Sequence, residues 1–296
     1  MKLAIHNWMR TESLEHSLNR LPPLGYTHFE IMGEPQMYAD TAGIKAMLDD
    51  RGLRCWGSVT LMLDRRNLLS SNEADRAMSV QYVKDIVKMV AELEGTMVSV
   101  VPATVGKVVA DARPELEWEW AVASMKEIYA YAELQGILLG IEPINRFETY
   151  FINRGSQAMA LAEAVGPNCG VCLDAFHMNI EEEDMYATIR AVGDRLVGFH
   201  VADNNRMAPG MGTLDWAKIV ATLDEVGYEG PLSVEFSAPI DRTPANPYPN
   251  SVDENPEGLS PEMAKFIADH GSSIPSDEFY SMLVAKSAET LLPLIS

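Results

Sequence analysis

Short apolar runs alternate along the chain with longer stretches in which apolar residues recur every three or four positions. The short runs fall at Lys2–His6, Thr27–Ile31, Leu53–Val59, Met97–Val101, Leu138–Glu142, Gly170–Asp174, Leu196–His200 and Leu232–Phe236. Most are apolar throughout rather than alternating, as parallel strands covered on both faces are. Helices are expected between them, at Thr11–Leu21, Ala42–Arg51, Asn72–Glu94, Pro114–Gln135, Ser156–Val165, Glu182–Val192, Asp215–Val226 and, last, Asp277–Leu292. Gly52, Gly136 and Gly227 come at the ends of helical stretches, where glycine closes a helix through a left-handed turn. Eight β–α units in succession predict an α/β fold, a (β/α)8 TIM barrel formed as a single domain over residues 1–296. The rival, an open doubly wound sheet, normally carries a glycine-rich phosphate turn after an early strand. The first turn here reads HNWMRTES and has no glycine.

One segment breaks the rhythm. Residues 237–276 hold seven of the seventeen prolines and no convincing strand. Within them SPEMAKFIADHG reads as a short helix with Ser260 as N-cap and Pro261 in the first turn. An insertion of this length after the eighth strand is expected at the barrel mouth, as a lid or as an interface segment.

Composition narrows the partners. The 296 residues carry 23 basic and 43 acidic side chains, a formal net charge of −20. There is no basic stripe for nucleic acid, and an acidic surface suits neither anionic lipid nor a highly phosphorylated ligand. No apolar run approaches the ~18 residues of a membrane helix, and MKLAIHNWM is too short and polar for a signal peptide, so a cytoplasmic protein is expected. The three cysteines, Cys55, Cys169 and Cys172, are an odd count in apolar runs and read as reduced core thiols. Cys169 and Cys172 share a strand, where their side chains point to opposite faces, so their CxxC spacing signals neither redox chemistry nor zinc.

Candidate chemistry gathers where strands end. In a barrel the carboxyl ends of the strands face the active-site mouth. Strands five to eight end in Glu142, Asp174, His200 and Glu235, one metal-competent side chain each. Any one of them alone would be an ordinary solvated carboxylate or core histidine. Together they are different, because three carboxylates in one small pocket repel one another unless a positive charge holds them. A divalent cation supplies that charge. Three carboxylates and an imidazole suit Mn²⁺, Mg²⁺ or Co²⁺ better than a structural zinc. Glu148, His177 and Arg206 lie on the loops just beyond, where they could contact a substrate.

The stretches IEPINRFE, LDAFHMNIEE, FHVADNNRMAPGMGTLDW and GYEGPLSVEF resemble the sugar-phosphate isomerase/epimerase superfamily, and within it the D-tagatose 3-epimerase and D-allulose 3-epimerase family. The resemblance spans roughly Gly140 to Phe236. It implies that Glu142, Asp174, His200 and Glu235 bind Mn²⁺ and that Glu148, His177 and Arg206 contact substrate. It further implies that Glu142 and Glu235 move the C3 proton of a ketose between opposite faces, with the metal stabilising the enediolate. The chain departs from the family at Ala175, usually Thr, at Asp203, usually Glu, and in IHNWMR and GSVTLMLDRRN near the N-terminus. Related barrels use the same site otherwise. The alternative is therefore a lyase on 3-keto sugars or glycosides, of keto-inositol dehydratase or C-glycoside deglycosidase type, the latter working with a small partner subunit. A homo-oligomer, or a hetero-oligomer with such a subunit, is expected. An abasic-site endonuclease on this barrel would want many histidines and a basic groove, and the chain has six histidines and a charge of −20. A sugar-binding protein without catalysis would need no acidic cage.

Overall fold

The computed structural model describes residues 1–239, 241, 243–253 and 274–295. At its centre stand eight strands: β1 (Lys2–Ile5), β2 (His28–Gly33), β3 (Arg54–Thr60), β4 (Met97–Val100), β5 (Leu138–Ile141), β6 (Cys169–Asp174), β7 (Leu196–Val201) and β8 (Pro231–Val234). They hydrogen-bond in the order β1-β8-β7-β6-β5-β4-β3-β2, every pair parallel. The ends of that order meet as well. Thr27 donates its backbone N–H to Leu3 O at 3.2 Å, and His6 forms a parallel bridge with Glu30. The predicted (β/α)8 barrel is therefore observed.

The helices α1 (Leu14–Arg20), α2 (Thr41–Asp49), α3 (Glu73–Glu92), α4 (Pro114–Gln135), α5 (Gly155–Val165), α6 (Ala175–Glu181), α7 (Met185–Val192), α8 (Trp216–Glu225) and α9 (Asp277–Leu291) lie between and after the strands. Their starts follow local chemistry. Ser13, Asp40, Asn72, Asp215 and Ser276 each accept a backbone N–H of the first turn they precede. Gly136 closes α4 at φ 70°, a left-handed conformation that glycine takes without steric cost.

Element ends shift by one or two residues from the sequence reading, and two places differ by more. The first helix begins at Leu14, because Ser13 caps it, rather than at Thr11. The stretch after β6 holds two helices rather than one from Glu182 onward: α6 is capped by Asp174 and α7 by Asp184. The helix expected from Ser260 lies outside the described residues. On either side of it, Val252 and Pro275 form an antiparallel bridge, and Asp253 donates its N–H to Ile274 O at 2.9 Å.

A Cβ on Gly198 would lie 2.7 Å from both Cys172 Sγ and Met97 Cε. All three cysteines are free and buried, and burial pushes each thiol up to about 12. Among the described residues no helix is long and apolar enough to cross a membrane.

Candidate metal and substrate site

The register of the last four strands decides what meets at the mouth. Asp174 pairs with His200 across β6 and β7. Glu142 and Glu235 each stand one residue beyond their strands, their N–H groups held by Val100 O and Val201 O at 3.0 Å. Ligand atoms of Glu142, Asp174, His200 and Glu235 all lie within 4.8 Å of one another, and all four residues are buried. His200 Nδ1 is 3.0 Å from Glu142 Oε1 and 3.2 Å from Glu235 Oε2.

This donor set fits a divalent cation on physical grounds. Three buried carboxylates gather around one imidazole, and a divalent cation would balance the negative charge that His200 and Arg206 leave over. Titration carries the same message. Burial works against a charged His200, yet Cys172, Glu142, Glu235 and Glu30 together hold its pKa well above the ordinary imidazole value. Burial raises Asp174, against the pull of the Arg206 guanidinium. Glu235 is buried too, but His200, His6 and Arg206 bring its carboxyl well below the usual range. The cluster holds on to positive charge wherever it finds it.

Glu148, His177 and Arg206 come to the same place as the four metal candidates and line a cavity of 290 Å³ over them. His177 Nδ1 accepts the backbone N–H of Asn145 at 3.2 Å, which leaves the ring proton on Nε2. The Asn145 side chain donates to Glu148 Oε1 at 2.7 Å, so the one loop after β5 that carries both residues is held to His177 on α6 through Asn145. Arg206 donates to Asp174 Oδ2 at 3.1 Å and lies over the Phe176 ring at 4.5 Å. Its own backbone sits at φ 61°, in the left-handed region, strain that a side chain fixed at a site can carry. Asp174 has a double duty, since its Oδ1 accepts the N–H groups of Phe176 and His177 at 2.6 and 3.2 Å and starts α6.

Sequence reasoning looked only at the second half of the barrel. The first half contributes four more side chains. Trp8 donates its indole N–H to Glu235 Oε1 at 2.9 Å, and Ser99 donates its hydroxyl to Glu142 Oε2 at 2.6 Å. Glu30, fully buried on β2, places Oε1 3.4 Å from His200 Nε2 and Oε2 3.1 Å from His6 Nε2. A carboxylate in the middle of the apolar run HFEIMG was the available signal.

A closed barrel gathers three carboxylates and a histidine at its mouth beneath a small cavity, a donor set able to hold a divalent cation. The chain belongs to the xylose isomerase-like TIM barrel family, whose model matches residues 20–270. It is 32% identical over 219 residues to an L-ribulose 3-epimerase of Methylomonas sp., covering 73% of this chain and 76% of that protein. It is 29% identical over 235 residues to a D-psicose 3-epimerase of Ruminiclostridium cellulolyticum, 75% and 77% of the two chains. The structure of a D-allulose 3-epimerase from Methylomonas sp. in complex with D-allulose superposes with a TM-score of 0.83 at 24% identity, over 99% of this chain and 96% of that one. The relatives are sugar epimerases, and this chain is an enzyme of the same isomerase/epimerase type.

Proposed function

We propose that the protein is a divalent-metal-dependent ketose 3-epimerase, with Glu142, Asp174, His200 and Glu235 as metal ligands and Mn²⁺ as the preferred ion. The observation that carries the reading is the convergence of these four buried donors at the mouth. When bound, the cation supplies a Lewis acid for the substrate oxygen that gains charge.

The chain's own residues account for the rest. A hydrogen beside a ketone is weakly acidic, and a carboxylate within reach can remove it as the carbonyl oxygen takes up charge. Glu142 follows β5 and Glu235 follows β8, so the two approach the site from different strands. One carboxylate takes the C3 proton from one face, and the other, starting as the acid, returns a proton to the opposite face. Each turnover exchanges their protonation states, so the reverse reaction uses the same pair. Arg206, His177 and Glu148 bind the hydroxyls next to the reacting carbon, and the apolar wall opposite limits entry of water.

The test is turnover of free ketoses in heavy water by metal-stripped protein with Mn²⁺ restored. Deuterium at C3 of the product, lost together with turnover in Glu142→Gln and Glu235→Gln variants that keep their fold, is expected. Full activity in either variant would remove the two-base scheme.

A further inference from the structure

The loop after β1 carries Trp8, which lines the cavity and donates its indole N–H to Glu235 Oε1 at 2.9 Å. On the side of β2 this loop is held by Asn7, whose Oδ1 accepts the Met32 N–H and whose amide donates to the Tyr38 hydroxyl, both at 2.8 Å.

Two residues beyond Trp8, Arg10 ties the same loop to a distant part of the chain. Its Nε donates to Pro275 O at 3.0 Å, its Nη2 to Asp253 Oδ2 at 3.3 Å and its Nη1 to Glu12 Oε2 at 2.6 Å. The side chain is only 10% exposed, so these bonds are made largely out of water, where leaving one unmade is costly.

Each of the three acceptors is itself fixed. Val252 and Pro275 form an antiparallel bridge, and Asp253 N–H donates to Ile274 O at 2.9 Å. Ser276 closes the pair further, donating its N–H to Ser251 O at 2.9 Å and its hydroxyl to Asn250 O at 2.7 Å. Ser276 also caps α9, whose Phe279, Tyr280 and Leu283 lie in the hydrophobic core. Glu12 receives the Ser17 hydroxyl at 2.6 Å and Arg20 at 2.5 and 2.9 Å, and Arg20 reaches Ser281 Oγ on α9 at 2.9 Å. A planar guanidinium with five donors can serve three acceptors on separate segments at once, which a lysine ammonium does poorly.

From this we infer that Arg10 is a positioning residue of the active site: by fixing the β1 loop to Asp253 and Pro275, it sets where Trp8 presents its N–H to Glu235. The inference rests on the proposed epimerase reading, in which Glu235 is one of the two bases. A staple that only joined two parts of the fold would contribute to stability alone. A positioning residue acts through Trp8 and loses its effect on turnover once the indole donor is gone.

The experiment is a double-mutant cycle on the Mn²⁺-loaded enzyme with a ketohexose that it epimerises, reading kcat, KM and the thermal melt. Displacement of a catalytic group by a distant change can cost up to about 100-fold in rate, and for Arg10→Gln a fall of about tenfold in kcat with little change in KM is expected. In the Trp8→Phe background the same change should lower kcat by less than about twofold. Arg10→Lys, which keeps the charge without the fork, should fall between wild type and Arg10→Gln. Asp253→Asn removes a single anchor, should show the same dependence on Trp8 at smaller size, and decides the matter if Arg10→Gln does not fold. Equal falls in both backgrounds, or a lowered melting temperature with kcat unchanged, make Arg10 a staple and overturn the inference while the epimerase reading stands. No epimerisation of any ketose by the wild-type protein overturns both.

Discussion

Trp8 donates its indole N–H to Oε1 of Glu235, which leaves Oε2 of that carboxylate 3.2 Å from His200 Nδ1. Ser99 does the same for Glu142, whose other oxygen lies 3.0 Å from the same nitrogen. Each proposed base thus has one oxygen engaged by a neutral donor and the other directed to the centre. Trp8→Phe keeps a ring in the wall and removes the donor. A hydrogen bond to a charged group contributes about 1.5–3 kcal/mol, so kcat should fall by roughly 10- to 100-fold. Steady-state kinetics beside a thermal melt would check it, and an unchanged kcat would show that Glu235 does not depend on this donor.

Glu30 bridges His200 and His6 from below the site. Burial would push its carboxyl up, but the two imidazoles hold it well below the usual carboxylate range. An ionised Glu30 accepts the Nε2–H of His200 at 3.4 Å, which leaves Nδ1 facing Glu142 and Glu235. Partners of this kind affect metal affinity by about 10- to 100-fold when removed. Glu30→Gln should therefore weaken Mn²⁺ binding by that factor while kcat at saturating metal changes far less. Titration of the metal-free protein with Mn²⁺ reads the affinity directly, and an unaltered dissociation constant would assign Glu30 a packing role only.

Asp203, which departs from the family's usual Glu, organises the loop that carries Arg206. Its carboxylate accepts the N–H groups of Asn204, Gly210 and Leu214 and the indole N–H of Trp216, at 2.8 to 3.1 Å. Its backbone O accepts the Arg206 N–H at 2.8 Å. Asp203→Asn turns an amide group toward N–H donors, so a loss of about 2 kcal/mol in stability and a raised KM are expected. The effect depends on pH. Burial raises the Asp203 pKa, but the bonds from Trp216, Leu214, Asn204 and Gly210 outweigh it and the net shift is downward. A depressed folded pKa contributes stability that is present above the unfolded value of about 3.9 and is lost as pH falls through the folded one. Denaturant melts should therefore show the gap between wild type and Asp203→Asn closing below about pH 4. A gap constant across that range would mean the carboxylate charge is not what holds the loop.

The barrel was legible because each strand is a short apolar run covered on both faces, and a run such as Met97–Val101 admits little else. Glu142, Asp174, His200 and Glu235 were legible because they fall at or next to the ends of consecutive strands. Helix α6 was not, since its cap is Asp174, a residue already read as the end of a strand and as a ligand, and the helix has only seven residues. Glu30 and His200 are 170 positions apart, and nothing local in either segment announces the contact. The same holds for Trp8 and Glu235. These pairings depend on how the barrel closes through β1 and β2, a three-dimensional relation that local pattern does not encode. The left-handed backbone at Arg206 was equally hidden, because NNR favours a turn without stating its hand.

The strongest pH dependence should come from His200. In the metal-free protein burial disfavours its imidazolium, but Cys172, Glu142, Glu235 and Glu30 hold the pKa well above 6.5. A folded pKa raised above the unfolded value contributes stability fully present below about pH 6.5 and lost as pH rises through the folded value. Binding of a cation through Nδ1 requires that nitrogen to be unprotonated, so metal and proton compete for the same group of carboxylates. Two results are expected. Mn²⁺ binding should release protons to a weakly buffered solution, and the rise in melting temperature caused by Mn²⁺ should grow between about pH 6 and pH 9. As the proton leaves, the metal-free cluster loses its positive charge and the cation restores it. A Mn²⁺ stabilisation that stayed constant across this range would take His200 out of the ligand set and leave the three carboxylates to hold the ion without it.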